Sequence, residues 1–242
     1  KLRAHRRGLN LVRSVLVPML SDAIDQAINL GESIESRGFA AKTFTLSNEL
    51  SFPKLNFHYG NGKQVLRDAS VQIAQGSFTL ITGNTGSGKS TLLKIILAKK
   101  PGVGFVGQFP RQTFVAETVF EELSFSLKKS GVSKSAISAR VSELSTKFQL
   151  DPKARVLELS AGWQQRVAIA AAVSAGSDIL LLDEPFSALD EAGTSQLLST
   201  LSELKAIGKT IVVAEHRTNL LTDLADVVLT IEHRPMLNCF SP

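Results

Sequence analysis

The sequence holds a single cysteine, Cys239, in 242 residues. One thiol excludes an internal disulfide framework and a cysteine-based metal site, and it fits a reducing cytosolic setting. Aromatic residues are scarce at 6%, yet hydrophobic residues reach 43% and charged ones 20%, the balance of an ordinary folded α/β protein and not of a disordered chain. One large domain with an appendage fits this length; a second large domain does not. Internal repeats, low-complexity segments and sustained heptads are lacking. So is an apolar run long enough to cross a bilayer, because the best stretch, Leu11 to Leu30, is broken by Arg13, Asp22 and Asp25. Acidic residues are missing from the start, where Lys1, Arg3, Arg6, Arg7 and Arg13 all precede Asp22. This basic arm, in a chain of formal charge +5, suits anionic lipid headgroups, nucleic acid, an acidic patch on a partner, or plain solvation. The chain opens at Lys1 without a methionine, and a longer polypeptide is expected around it.

Val12, Leu16, Leu20, Ile24 and Ile28 recur at helical spacing, which predicts an amphipathic helix over Leu11 to Gly31, kinked or begun at Pro18. Gly38 is a stop signal, and the aperiodic Ser, Thr, Asn and Pro of Lys42 to Pro53 read as a linker. The expected division is therefore an N-terminal helical segment 1–42, a linker 43–53 and a main domain 54–242. In the main domain short β-rich runs alternate with helices: Phe78 to Thr82, a helix from Gly88, Ile179 to Leu182, a helix after Asp190, and Thr210 to Val213. Such alternation predicts a mainly parallel sheet flanked by helices. Between them lies a polar stretch with helices expected at Ala116 to Lys129 and Lys134 to Phe148, an inserted helical subdomain over about 114–158.

Gly83, Asn84, Thr85, Gly86, Ser87, Gly88, Lys89 and Ser90 fit G-x-x-x-x-G-K-[ST] between an apolar strand and a helix. The three glycines let the backbone curl so that successive N–H groups line one concave nest, and the helix adds its positive N-terminal end. A nucleoside triphosphate suits that nest, with Lys89 reaching its β- and γ-phosphates, Ser90 placed for Mg²⁺, and Thr91 following in the first helical turn. Ile179 to Leu182 then ends in Asp183 and Glu184. A carboxylate at the C-terminal end of a buried strand can hold the Mg²⁺ that accompanies ATP, and its neighbour can orient or deprotonate an attacking water.

Leu159-Ser-Ala-Gly-Trp-Gln-Gln-Arg166, shortly before this strand, resembles the signature of ABC-type ATPases, and the chain is similar to that family over about Lys54 to Glu232. The resemblance implies a P-loop NTPase fold of ABC type with ATP and Mg²⁺ as ligands. Ser160 and Gly162 match the Leu-Ser-Gly-Gly-Gln form and would face the γ-phosphate, whereas Ala161 and Trp163 depart from it. In the family this segment completes the ATP site of a second ATPase domain, so a head-to-tail pair is implied. Gln108 resembles the Q-loop glutamine that touches Mg²⁺ and water, Ser187 to Asp190 the D-loop, and His216 the switch histidine on the γ-phosphate. Tyr59, flanked by Phe57 and His58, sits where the family stacks a ring on adenine. Between Lys89 and Gln108 the family usually carries a longer stretch with a small β layer; here Ala98 to Gly102 leads almost directly to Gly104, which implies a reduced edge beside adenine.

Ser33 to Phe39 resembles the coupling region of the transmembrane component of energy-coupling-factor transporters, with Ser36 in place of the alanine of an Ala-Arg-Gly motif. That resemblance implies that Arg37 docks on an ATPase groove. Gln108 to Gln112, Glu117 to Glu122 and Glu215 to Arg217 are similar to the same family's ATPases. The implied role is ATP-driven import of a vitamin or metal ion at the cytoplasmic face of a membrane, with a transmembrane partner and no nucleic acid. A soluble ABC ATPase acting on nucleic acid or ribosomes is the competing reading, and a non-hydrolysing domain a third.

Overall fold

A computed structural model describes residues 49–58, 64–100, 102–129 and 131–231. The basic arm, the expected helix over Leu11 to Gly31, the Ser33 to Phe39 segment with Arg37, and Tyr59 lie outside the described residues.

Five strands build the central sheet: β3 (Phe78–Thr82), β4 (Val103–Val106), β5 (Ile179–Asp183), β6 (Thr210–Ala214) and β7 (Val227–Thr230). Their order is β4-β5-β6-β3-β7 and every pairing is parallel. Side chains alternate between the faces. Leu80, Leu180, Leu182, Ile211 and Val213 enter one apolar core, while Ile81, Leu181, Val212 and Ala214 enter the other. Strands buried on both sides read in sequence as continuous apolar runs, which is why β3, β5 and β6 are legible there, whereas β7 is largely exposed.

Helix α1 (Lys89–Lys99) covers one face together with an antiparallel pair, β1 (Glu49–His58) and β2 (Gln64–Ala74). This pair corrects the expected linker: residues 49–53 are strand, with Leu50 paired to Ile73 and Phe52 to Val71. The register shifts between Phe52 and Leu55, around Pro53. Proline cannot donate to a ladder and tends to sit at such irregularities, so the alternation that marks a strand is interrupted there. Between Lys89 and Gln108 the chain runs through α1 and β4 with no further strand among the described residues; the antiparallel layer is built from upstream sequence.

The other face carries α2 (Val119–Lys129), α3 (Lys134–Phe148), α4 (Ala161–Ser174) and α5 (Glu191–Ala206). Helices α2 and α3 lie between β4 and β5 in sequence. The Ser133 hydroxyl caps α3 by accepting from the Ala136 N–H, and Asp190 caps α5 by accepting from Gly193 N–H at 2.7 Å. Helix α4 is the pillar of this layer, with every residue from Gln164 to Ser174 buried. A helix apolar all round must be enclosed all round. Among the described residues no helix is long and apolar enough to cross a membrane.

Close approach of α4 to β4 depends on Gly104. A Cβ there would lie 2.9 Å from Ala172 Cβ and 3.0 Å from Leu180 Cδ2. The alanine methyl has no rotamer with which to yield. Gly104→Ala is expected to destabilise the fold by about 1–3 kcal/mol through overpacking, read as a lower urea midpoint at unchanged slope; an unaltered midpoint would show that the layer can shift freely.

Candidate functional site

The sheet order sets β4, β5, β6 and β3 side by side and parallel, so the loops at their C-terminal ends emerge along one edge. Gly83 to Ser90 follows β3, Gln108 follows β4, Asp183 and Glu184 end β5, and His216 follows β6. Four stretches widely separated in sequence thus form one row.

In the first loop Gly83, Gly86 and Gly88 all have positive φ. At Gly83 a Cβ would lie 2.6 Å from Ile231 O and 2.7 Å from Ser87 Oγ; at Gly88 it would lie 2.7 Å from Val65 Cγ1. Backbone alone fits at both positions. Gly88 is the N-cap of α1 and offers no side-chain cap, so the first N–H groups of the helix remain for a ligand. Lys89, buried along its stem, donates from Nζ to Gly83 O at 2.8 Å and Asn84 O at 3.3 Å, which holds the ammonium over the loop. Asn84 and Thr85 are exposed, and Thr91 is buried in the first turn. The Ser87 hydroxyl is buried and has no hydrogen-bond partner among the described residues, a polar atom still free to serve the cradle.

The Ser90 hydroxyl donates to Asp183 Oδ1 at 3.0 Å. Asp183 is 7% exposed, and burial pushes its carboxyl above the ordinary value of 3.8; the Ser90 bond opposes that shift and the neighbouring Glu184 adds to it. A buried carboxylate beside a hydroxyl is a donor set for a hard divalent cation such as Mg²⁺. Among the described residues no three His, Cys, Asp or Glu side chains cluster. Glu184 has φ 45, a left-handed conformation that is rare outside glycine, while its N–H donates to Ala214 O at 2.9 Å. Its carboxylate accepts from Gln108 Nε2 at 3.0 Å, which brings the two residues together.

His216 is about half exposed, and its Nδ1 lies 2.9 Å from Oε1 of Glu215, which is fully buried. Arg217 donates through Nη2 to Phe186 O, joining this loop to the one after β5. In the sequence Glu215 and Arg217 carry only the likeness of the Glu215 to Arg217 stretch to energy-coupling-factor ATPases, with no role of their own. Their signal was a charged pair following the buried run Thr210 to Ala214, where a charge needs a partner.

Ser160 and Gly162 stand apart from this row, at the start of α4. Ser160 is its exposed N-cap, and its side chain makes no cap hydrogen bond. A Cβ on Gly162 would find Leu189 Cδ2 at 3.5 Å and Gly193 Cα at 3.8 Å, ordinary contacts that place no steric demand for glycine. The departure at Trp163 has an internal explanation: its half-buried ring lies 4.8 Å from the guanidinium carbon of Arg166, which also donates to Phe148 O. Tyr59 is outside the described residues.

Residues 66–187 match the family model described as ABC transporter. An energy-coupling factor transporter ATP-binding protein, EcfA2, of Streptococcus thermophilus is 32% identical over 76% of this chain and 78% of its own length. A cobalt import ATP-binding protein, CbiO, of Rhodobacter capsulatus is 35% identical over 74% of each. An ABC transporter ATP-binding protein of Clostridium tetani is 32% identical over 74% of this chain, which spans 46% of that protein's length. Among solved structures, cbiO1 of Clostridium perfringens, described as part of the ABC transporter complex cbiONQ, has a TM-score of 0.69 at 25% identity and covers 76% of this chain and 84% of its own.

The raised Asp183 carboxyl carries a pH signature. A group whose folded pKa exceeds its unfolded one favours the fold while protonated and loses that contribution as pH rises from 3.8 through the raised value. Asp183→Asn should therefore melt higher than the wild type in metal-free buffer at neutral pH, by a gap that narrows on acidification. Equal melting temperatures across that range would contradict the burial argument.

Proposed function

Since the chain belongs to the family of ABC transporter ATP-binding proteins, we propose that it hydrolyses ATP, with Mg²⁺, to drive an energy-coupling-factor type importer of a vitamin or metal ion. The observation that carries this reading is the row along the sheet edge: Lys89 over the Gly83 to Ser90 loop, Ser90 on Asp183, and Gln108 on Glu184.

In the proposed mechanism the N–H groups of the loop and of the first turn of α1 bind the β- and γ-phosphates, and Lys89 exchanges its carbonyl partners for phosphate oxygens. Ser90, Asp183 and Gln108 would hold Mg²⁺, which would supply charge neutralisation at the phosphate oxygens. Glu184 accepts a proton from the attacking water, and the Gln108 amide holds that carboxylate in place beforehand. His216 stands over the γ-phosphate. Tyr59 would stack on adenine.

Ser160 and Gly162 would close the ATP site of a second ATPase domain. The absence of any steric demand for glycine at 162 within this chain supports a contact from outside it, as does the uncapped N-terminus of α4, a natural seat for phosphate. A transmembrane partner would couple through Arg37, whose planar guanidinium suits a hydrogen-bonded protein interface. The ATPase would then lie at the cytoplasmic face of the membrane.

Glu184→Gln is expected to lower ATP turnover by a factor on the order of 10² to 10⁴ while leaving ATP binding in place; turnover at the wild-type rate in the assembled complex would overturn its assignment as general base. Arg37→Ala should leave basal hydrolysis and abolish its dependence on transport. If hydrolysis and transport remain coupled in reconstituted vesicles, Arg37 is not the coupling residue.

A further inference from the structure

Glu215 is placed as few carboxylates are. It follows the last residue of β6, its own N–H donates to Ile81 O at 3.0 Å, and its side chain is fully buried. A carboxylate taken out of water is costly unless donors converge on it. Two backbone donors do, both on Oε1: the N–H of His216 at 2.9 Å and the N–H of Arg217 at 3.1 Å; Nδ1 of the His216 ring lies 2.9 Å from the same oxygen as a charge contact. Oε2 has no hydrogen-bond partner among the described residues. The two backbone bonds anchor the loop, and they hold Oε1 against the imidazole.

We infer that Glu215 sets the tautomer and the aim of the His216 ring, as a positioning residue for ATP hydrolysis that acts through His216. A carboxylate accepts and cannot donate, and a bare Nδ1 lone pair 2.9 Å from Oε1 would be repelled, so the contact favours hydrogen on Nδ1 and leaves Nε2 of the neutral ring with its lone pair. Nε2 is then the atom that exchanges a proton with phosphate or water. The ring is half exposed, so packing alone does not hold it. Arg217 completes the device, because its bond to Phe186 O ties the loop that Glu215 organises to the segment just beyond Asp183 and Glu184. The catalytic part of this inference rests on the role proposed above for His216; the tautomer does not.

The test uses the full chain with ¹⁵N-labelled histidine, with spectra read on the alkaline plateau of the ring signals and the His216 signals identified by their loss in His216→Gln. The expected wild-type spectrum is that of the Nδ1–H tautomer. Glu215→Gln keeps an acceptor oxygen and should retain it, whereas Glu215→Leu should shift the ring to the Nε2–H form. A wild-type ring in the Nε2–H form overturns the inference without any variant, and so does a folded Glu215→Leu that retains Nδ1–H. Should Glu215→Leu not fold, the wild-type and Glu215→Gln spectra decide. In a complex that hydrolyses ATP, Glu215→Leu should lower kcat by the same factor as His216→Ala at similar KM, with no further loss in the double variant and recovery in Glu215→Gln. Full turnover in His216→Ala would remove the role of His216, and with it the catalytic half of the inference, while the spectra still judge Glu215.

Discussion

Register between β3, β5 and β6 is the constraint on which the site depends. Ala214, the last residue of β6, is paired with Ile81 on one side and Asp183 on the other. The chain then leaves all three strands at one level, and the same ladder continues into the loops through the bonds from Glu184 N–H to Ala214 O and from Glu215 N–H to Ile81 O. A slip of one residue would carry each loop about 3.3 Å along the sheet and exchange the two faces. Both faces are core here, and the cores differ: one must admit the aromatic side chains of Phe78 and Phe186, the other the stem of α1. That mismatch opposes the slip.

At this edge the fold accepts groups that cost stability. Asp183 is buried with its charge opposed, Glu184 sits in a left-handed backbone conformation, and Glu215 is wholly enclosed with one oxygen unpartnered. Each cost is local and each is bounded by rigid strands that cannot relax around it. Such concentrations of strain and buried charge belong to sites where geometry must be ready before a ligand arrives. The ion pairs Arg140–Glu143 and Lys209–Asp178, by contrast, keep their charges in reach of solvent.

The helical layer serves the site from a distance. Helix α4 carries Ser160 and Gly162 at its exposed start and is enclosed by α2, α3 and α5 for most of its length, so its N-terminus is presented by a rigid body and not by a loop. The Glu122 carboxylate, buried at the start of α2, accepts from the N–H groups of Val115 and Ala116 and fixes the path between the Gln108 loop and the helices. Trp163 packs on Arg166 within the same layer, so the unusual residue in the signature stretch is accounted for by the chain's own interior.

By itself the sequence determined the parallel α/β architecture and the phosphate loop. Strands buried on both faces are continuous apolar runs such as Ile179 to Leu182, and a loop made of backbone must declare its glycines. It also singled out Asp183 and Glu184, as two carboxylates ending a buried apolar run, and Gln108 and His216 through the resemblance to ABC-type ATPases. It did not reveal the β1–β2 pair, since Pro53 and the register shift near it break the alternation by which a strand is recognised. Nor did it give Glu215 a task. Only the tertiary structure decided that, because the burial of its carboxylate and the closeness of His216 Nδ1 arise where β6 ends between β3 and β5, and no local pattern encodes a position defined by two other strands.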